Sequence, residues 1–273
     1  MDEHRTLIIH MTDLHDGKKT SSFDQDILQQ RMDIVTDKLM RMRDRIPFTI
    51  DKVVVIITGD TVDGSLIYPT QGNHQDEHDT MEQADNTSAM FITFAMDQVE
   101  IWGCPVELQC VAGNHGRVGK FHHENTNWDV LVYRTLFSAA EHYDKVSVYY
   151  SREKGENRFL RTFKVYDTKI LLYHGQGIRM YQNIPRYGIV QRIMRWATTR
   201  ELGDWTYLFM GHFHRCEYFS QNERMCYMGG TMATNDDWAL EILGCESDPH
   251  WWVLLMREDG TIEEQFKLGL VDD

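Results

Sequence analysis

The chain has 273 residues, 42% of them hydrophobic and 26% charged, which excludes disordered and collagen-like classes and leaves ample core for an α/β domain. Its net charge of −14 argues against tight non-specific binding to nucleic acid, although a local basic cleft remains compatible with it. No run of about 18 apolar residues is present, and the opening MDEHRTLIIH has no long apolar stretch, so neither a membrane span nor a signal peptide is expected.

Apolar runs alternate with helical patterns from the start. Leu7 to His10 reads as a strand. A helix capped by Ser21 or Ser22 should follow, because Leu28, Met32, Val35, Leu39 and Met42 recur at spacings of four and three. KVVVIITGD is a second strand whose β-branched residues suit burial on both faces. Residues 64–88 are polar and acidic, and long for a strand-to-helix connection, so they read as an insertion. Within it, His74-x-x-x-His78 would share one face if helical. A helix is expected over 87–102, a strand in VELQCVAGNH and a helix over 127–142.

The texture then becomes richer in β. VSVYY, RFLRTFKVY and KILLYHG read as short strands, and residues 185–201 as a helix. YLFMGHFH and RMCYMGG are further strands, and WWVLLMREDGTIEEQF is a hairpin turning at Asp259-Gly260. Two packed sheets with helices outside satisfy both halves. No boundary divides residues 1–273, which are read as one domain. The five cysteines are scattered, with no Cys-x-x-Cys, so free thiols in a reducing cytoplasm are expected.

Metal-type ligands close each expected strand. The first ends in Asp13-Leu14-His15, whose i and i+2 side chains point the same way in extended backbone. The second ends in Gly59-Asp60 followed by Asp63-Gly64, and the third in Gly113-Asn114-His115. His174 ends LLYHG, and Gly211-His212-Phe213-His214 ends YLFMGHFH. One such end is ordinary turn chemistry. Five in order, each after an apolar run, point to one site beyond the carboxyl ends of the strands.

This series resembles the calcineurin-like metallophosphoesterase superfamily, including the nuclease branch of double-strand-break repair exonucleases. The resemblance implies a four-layer α/β/β/α sandwich of two packed mixed sheets with flanking helices, and a centre of two divalent metal ions. Asp13, His15, Asp60 and His214 would hold one ion. Asp60, Asn114, His174 and His212 would hold the other, with Asp60 bridging. His115 would act near the leaving group, with Asp63 orienting it or a ligand. The implied chemistry is phosphoester hydrolysis by metal-activated hydroxide, most readily as a nuclease or phosphodiesterase on DNA or nucleotides. A small-nucleotide phosphodiesterase or a phosphatase is the alternative. Mixed N/O ligands favour Mn, with Fe, Co, Zn, Ni or Mg as other choices.

Many relatives carry an acid after Gly-Asn-His, whereas this chain has Gly116 and Arg117, with Lys120 close by. Asn114, Arg117 and Lys120 are therefore candidate substrate contacts. Lys18, Lys19 and Arg179 join Arg117 and Lys120 as the cations from which a DNA cleft could be built. Trp238 could stack on a base. No partner subunit can be read from the sequence, and no membrane contact is expected.

Overall fold

Hydrophobic runs of two periodicities build two sheets. The computed structural model describes residues 3–68, 71–119, 126–153, 156–182, 184–234 and 247–271. Strand β1 (His4–Met11) leads to helix α1 (Gln25–Arg43), β2 (Thr49–Ile57), α2 (Thr80–Trp102), β3 (Val106–Cys110), α3 (Trp128–Ala140) and β4 (Val146–Tyr149). There follow β5 (Leu160–Val165), β6 (Thr168–Tyr173), α4 (Arg186–Ala197), β7 (Trp205–Met210), β8 (Glu217–Gln221), β9 (Arg224–Met228), β10 (His250–Arg257) and β11 (Ile262–Gly269).

One sheet runs β11-β10-β1-β2-β3-β4, and the other β5-β6-β7-β9-β8. The inner strands are parallel and the edge hairpins antiparallel, so both sheets are mixed. The strand alternation separates three cores. Leu7, Ile9, Val53, Val55 and Leu108 pack under α1, α2 and α3. Ile8, Val54, Ile56, Leu172, Phe209 and Leu254 fill the space between the sheets. Leu171, Leu208 and Met228 receive Ile189, Ile193 and Trp196 of α4. The result is the expected α/β/β/α sandwich. β2 is buried on both faces, which is why its sequence lacks polar alternation. No helix among the described residues is long and apolar enough to cross a membrane.

Several boundaries differ from the sequence reading. Asp24, not Ser21 or Ser22, caps α1, its carboxylate accepting from Ile27 N at 3.0 Å. Helix α2 begins at Thr80, inside the expected insertion, because Asp79 and Glu82 form a capping box. His74 closes a short 3-10 turn at Gln71–His74, while His78 pairs with Asp76 at 3.1 Å, so the two histidines do not share a helix face. β8 was absent from the reading. It turns into β9 at Asn222 and Glu223, both at positive φ, with no Asn-Gly signal. Lys120, Trp238 and Cys245 lie outside the described residues.

Candidate metal centre

The parallel strands β1, β2, β3, β6 and β7 end on one side, and their last residues turn abruptly. Asp13, His15, Asp60, His212 and His214 all have φ between +49° and +74°. They are five of the nine described non-glycine residues with positive φ. Such backbone costs roughly 1–3 kcal/mol per residue and concentrates where function demands it. The close approach of these turns explains two of the glycines. A Cβ on Gly211 would collide with Thr12 and Asp13, and one on Gly113 with Asp60.

Two groups of donor atoms converge. In the first, Asp13 Oδ1 lies 3.3 Å from His214 Nε2 and 3.7 Å from His15 Nε2, and the two imidazole nitrogens are 3.0 Å apart. Asp13 Oδ1 is buried with no hydrogen-bond partner, whereas Oδ2 accepts from Thr12 Oγ1 and His212 N. In the second, His174 Nε2 lies 2.9 Å from Asp60 Oδ2 and 3.0 Å from Asn114 Oδ1. His212 joins this group, its ligand atom within 4.8 Å of those of Asp60 and His174. Thus Asp13, His15, Asp60, Asn114, His174, His212 and His214 come together. His174 Nδ1 donates to Thr58 O at 2.6 Å, which aims its Nε2 at the cluster.

Electrostatics match that crowding. Burial alone would depress His15, but Asp13 and Asp63 raise it to about 10. Burial likewise opposes Asp60 at His174, which ends near 9. Burial takes His212 to about 3, with His174 adding to the shift. Burial disfavours the charges of Asp13, Asp60 and Asp63, yet the surrounding imidazoles hold all three below the usual carboxylate range. A buried set of carboxylate, imidazole and amide donors, one carboxylate oxygen unpartnered, fits divalent cations, which would compete with these protons.

His115 stands beside the cluster with its side chain 19% exposed. Its Nδ1 faces Asp63 Oδ1 at 3.2 Å, Asp63 O at 3.0 Å and Gln71 Nε2 at 3.2 Å. Asp63 also meets His15 Nδ1 at 3.1 Å, so one carboxylate orients both rings. A donor atom of His115 also lies within 4.8 Å of those of His15 and Asp60, between the two groups. Arg117 Nε donates to Asn114 O at 2.8 Å, tying that side chain to the turn it follows.

Several contributors carried no clear signal in the sequence. Tyr68 OH accepts from Asn114 Nδ2 at 2.8 Å, and its ring lies 5.1 Å from that of His115. Gln71 Nε2 donates to Asp63 O beside the His115 ring, and Gln83 accepts from Gly64 N at 3.0 Å. The segment read as an insertion is therefore part of the wall of the site. Asp129, fully buried at the start of α3, is the least foreseen. Its Oδ2 accepts from Gly113 N at 2.7 Å and Asp60 N at 3.1 Å. Its Oδ1 accepts from Thr61 Oγ1 at 2.7 Å and Thr61 N at 3.0 Å. A Cβ on Gly116 would lie 3.0 Å from Asp129 Cγ. The space beside the Gly-Asn-His turn is thus filled by a carboxylate from the next helix. An aspartate in a first helical turn looks like ordinary dipole compensation, so nothing marked it.

The calcineurin-like phosphoesterase family model matches residues 6–239. The chain belongs to this family. Among solved structures, this chain is similar to an archaeal phosphodiesterase at 11% identity and TM-score 0.43, over 96% of this chain and 99% of that one. It is similar to zinc-complexed Vps29 from Entamoeba histolytica at 15% and 0.40, over 96% and 98%. A putative 5′-nucleotidase from Staphylococcus aureus matches at 11% and 0.45, over 98% of this chain and 55% of that one. Such distant likeness says nothing about what this family member acts on. No curated protein matches it.

Proposed function

We propose that the chain is a two-metal phosphodiesterase acting on nucleic acid or nucleotides, with nuclease activity as its principal form. The supporting observation is the pair of buried donor groups, Asp13–His15–His214 and Asp60–His174–His212, flanked by His115. In this reading Asp13, His15 and His214 would hold one ion and Asp60, Asn114, His174 and His212 the other, with Asp60 shared between the two groups. Two bound divalent ions supply Lewis-acid polarisation of the phosphoryl oxygens and activation of the attacking water. A donor set of four imidazoles, carboxylates and one amide would suit Mn, Fe or Co better than Mg, and Mn is the ion we assign.

The chain's own groups do the rest. Asp63 accepts from Nδ1 of His115, which leaves Nε2 to deliver a proton to the departing alkoxide, and Gln71 Nε2 donates to Asp63 O. Thr58 and Asp63 fix the tautomers of His174 and His15. Asp129 holds the Asp60 and Gly113–Asn114 turns in register. Residues 1–273 act as one catalytic unit in this reading. The four buried free thiols, Cys104, Cys110, Cys216 and Cys226, suit a cytoplasmic setting.

The net charge of −14 favours a second reading, a phosphodiesterase for small nucleotides, because a single phosphate on the metals needs no extended basic track. The test is a Mn²⁺ panel of bis-p-nitrophenyl phosphate, p-nitrophenyl phosphate, cyclic nucleotides, and single- and double-stranded DNA. Cleavage of DNA supports the nuclease form. Cleavage of only the small diesters supports the second reading, and hydrolysis by demonstrably metal-free protein would refute both.

A further inference from the structure

Residues 178–200 contain Arg179, Arg186, Arg192, Arg195 and Arg200 and no acidic residue, within a chain of 28 basic and 42 acidic residues. Among the described residues, none of these arginines has a carboxylate within 4.0 Å, whereas Arg5, Lys52, Arg257 and Lys267 do. All but Arg192 are exposed. A cluster of unpaired cations on a strongly acidic protein is a local reversal of field, and it attracts an anionic partner.

The same surface exposes large rings. Inward-facing Ile189, Ile193 and Trp196 seat α4 on the second sheet. That leaves Tyr187 59% exposed on the helix and Tyr181 64% exposed on the loop before it. Their ring centroids lie 6.1 Å apart. Reciprocal bonds join the backbones of Tyr181 and Ile184. Arg186 lies over the Phe219 ring at 4.8 Å, which presets its guanidinium. Solvated lysine-type charge would not require neighbouring exposed aromatics. Phosphate-binding groups interleaved with stacking platforms are the features that bind unpaired bases and their backbone. A duplex would leave the rings without base faces, because its bases are stacked on one another.

The loop that carries Arg179 continues from the candidate metal centre. Gly175 to Gly177 follow His174 directly, and Gly175 packs so closely that a Cβ there would lie 2.8 Å from His212 Cβ. Arg192 Nη2 donates to Gly177 O at 3.2 Å, linking α4 to that loop. Arg179 lies five positions after His174, at most roughly 18 Å of chain.

We propose that the 178–187 loop and the outer face of α4 bind single-stranded nucleic acid, holding the strand whose phosphodiester enters the metal centre. This rests on the nuclease reading above and takes Arg179 from the expected basic cleft. Of the cations in that cleft, Lys18 is buried and Arg117 is tied to Asn114.

The experiment is fluorescence anisotropy of labelled oligo(dT) with the full chain in chelator, so that binding is read without turnover. Tyr181→Ala combined with Tyr187→Ala should weaken binding at least ten-fold, given the contribution of base–aromatic stacking. Arg179→Ala combined with Arg195→Ala should lower the log–log salt slope by about 1.4, at about 0.7 per phosphate contact on a single strand. Both variants should keep wild-type hydrolysis of bis-p-nitrophenyl phosphate. Unchanged oligonucleotide affinity in both variants overturns the proposal. So does sedimentation showing that wild type dimerises and the tyrosine variant does not, because the surface is then an interface between copies. Wild type that cleaves the small diester but does not bind oligo(dT) also overturns it, while leaving the metal-centre reading intact. Absence of any hydrolysis with Mn²⁺ counts instead against that reading.

Discussion

Replacing Asp129 by asparagine tests whether the two central ligand turns depend on a carboxylate outside the motifs. The amide is isosteric, so packing is conserved. One amide oxygen can keep the contacts to Thr61 N and Oγ1. The amide nitrogen then faces Asp60 N and Gly113 N, donor against donor. Two bonds to a charged acceptor are lost, at about 1.5–3 kcal/mol each, or about 3–6 kcal/mol in all. Burial pushes the Asp129 carboxyl up, with Asp60 adding to the shift, so removing its charge recovers part of that loss. A net destabilisation of about 2–4 kcal/mol is expected. The displaced turns carry Asp60 and Asn114, so Mn²⁺ affinity should also fall, by roughly 10–100-fold. Urea unfolding of the apoprotein and calorimetric metal titration read the two effects separately. Asp129→Asn with wild-type metal affinity and stability within about 0.5 kcal/mol would refute the reasoning, since that is the range of substitutions touching no such feature.

His115→Ala should retain metal while turnover on an alkoxide-leaving diester falls by roughly 10²–10⁴; p-nitrophenolate esters should lose less, and equal losses on both would remove the proton-donor role. Asp60→Asn should lose bound metal, measured by atomic absorption after dialysis, because its two oxygens face different parts of the site. Gly116→Ala should destabilise the protein, since the added Cβ lies 2.5 Å from Asn127 Oδ1 and 2.9 Å from Asp129 N; an unchanged melting curve would contradict that packing. His10, buried between the sheets with its pKa lowered to about 3, binds a proton in the unfolded chain near its ordinary value of 6.5 but not in the folded one. Its stabilising contribution is present above pH 6.5 and is lost as pH falls toward 3, at about 1.4 kcal/mol per pH unit. His10→Phe should therefore flatten the difference in urea stability between pH 7 and pH 5 by up to about 2 kcal/mol, and a parallel profile would refute the assignment.

The sandwich was legible because its signals are local and repeated. β2 is a β-branched run, and α1 shows its buried stripe at Leu28, Met32, Val35 and Leu39. The metal-type residues that the structure brings together stood out in the sequence because each follows an apolar strand, one to four residues past its end. What the sequence hid was of another kind. Asp129, Gln71 and Gln83 act through backbone atoms far along the chain, and bonds to backbone leave no characteristic residue at the partner position. The start of α2 was readable from Asp79 and Glu82, but the acidic character of the segment masked the capping box. β8 is short and turns without glycine, so it lacked both usual marks.

The position of β1 shapes how the protein reaches this structure. It lies between β2 and β10, pairing Arg5 with Arg257 and His10 with Trp252, and it ends in the turn that bears Asp13 and His15. Thr231 Oγ1 and Met232 N both donate to Asp13 O. On a ribosome, β2 can pair with β1 early, but the other edge of β1 waits until β10 (His250–Arg257) has emerged. Closing so long a loop makes the last step of assembly slow, and an apolar strand edge stays open meanwhile. The metal centre is therefore completed late in folding, and the exposed edge of β1 is where nascent chains are most prone to pair with one another.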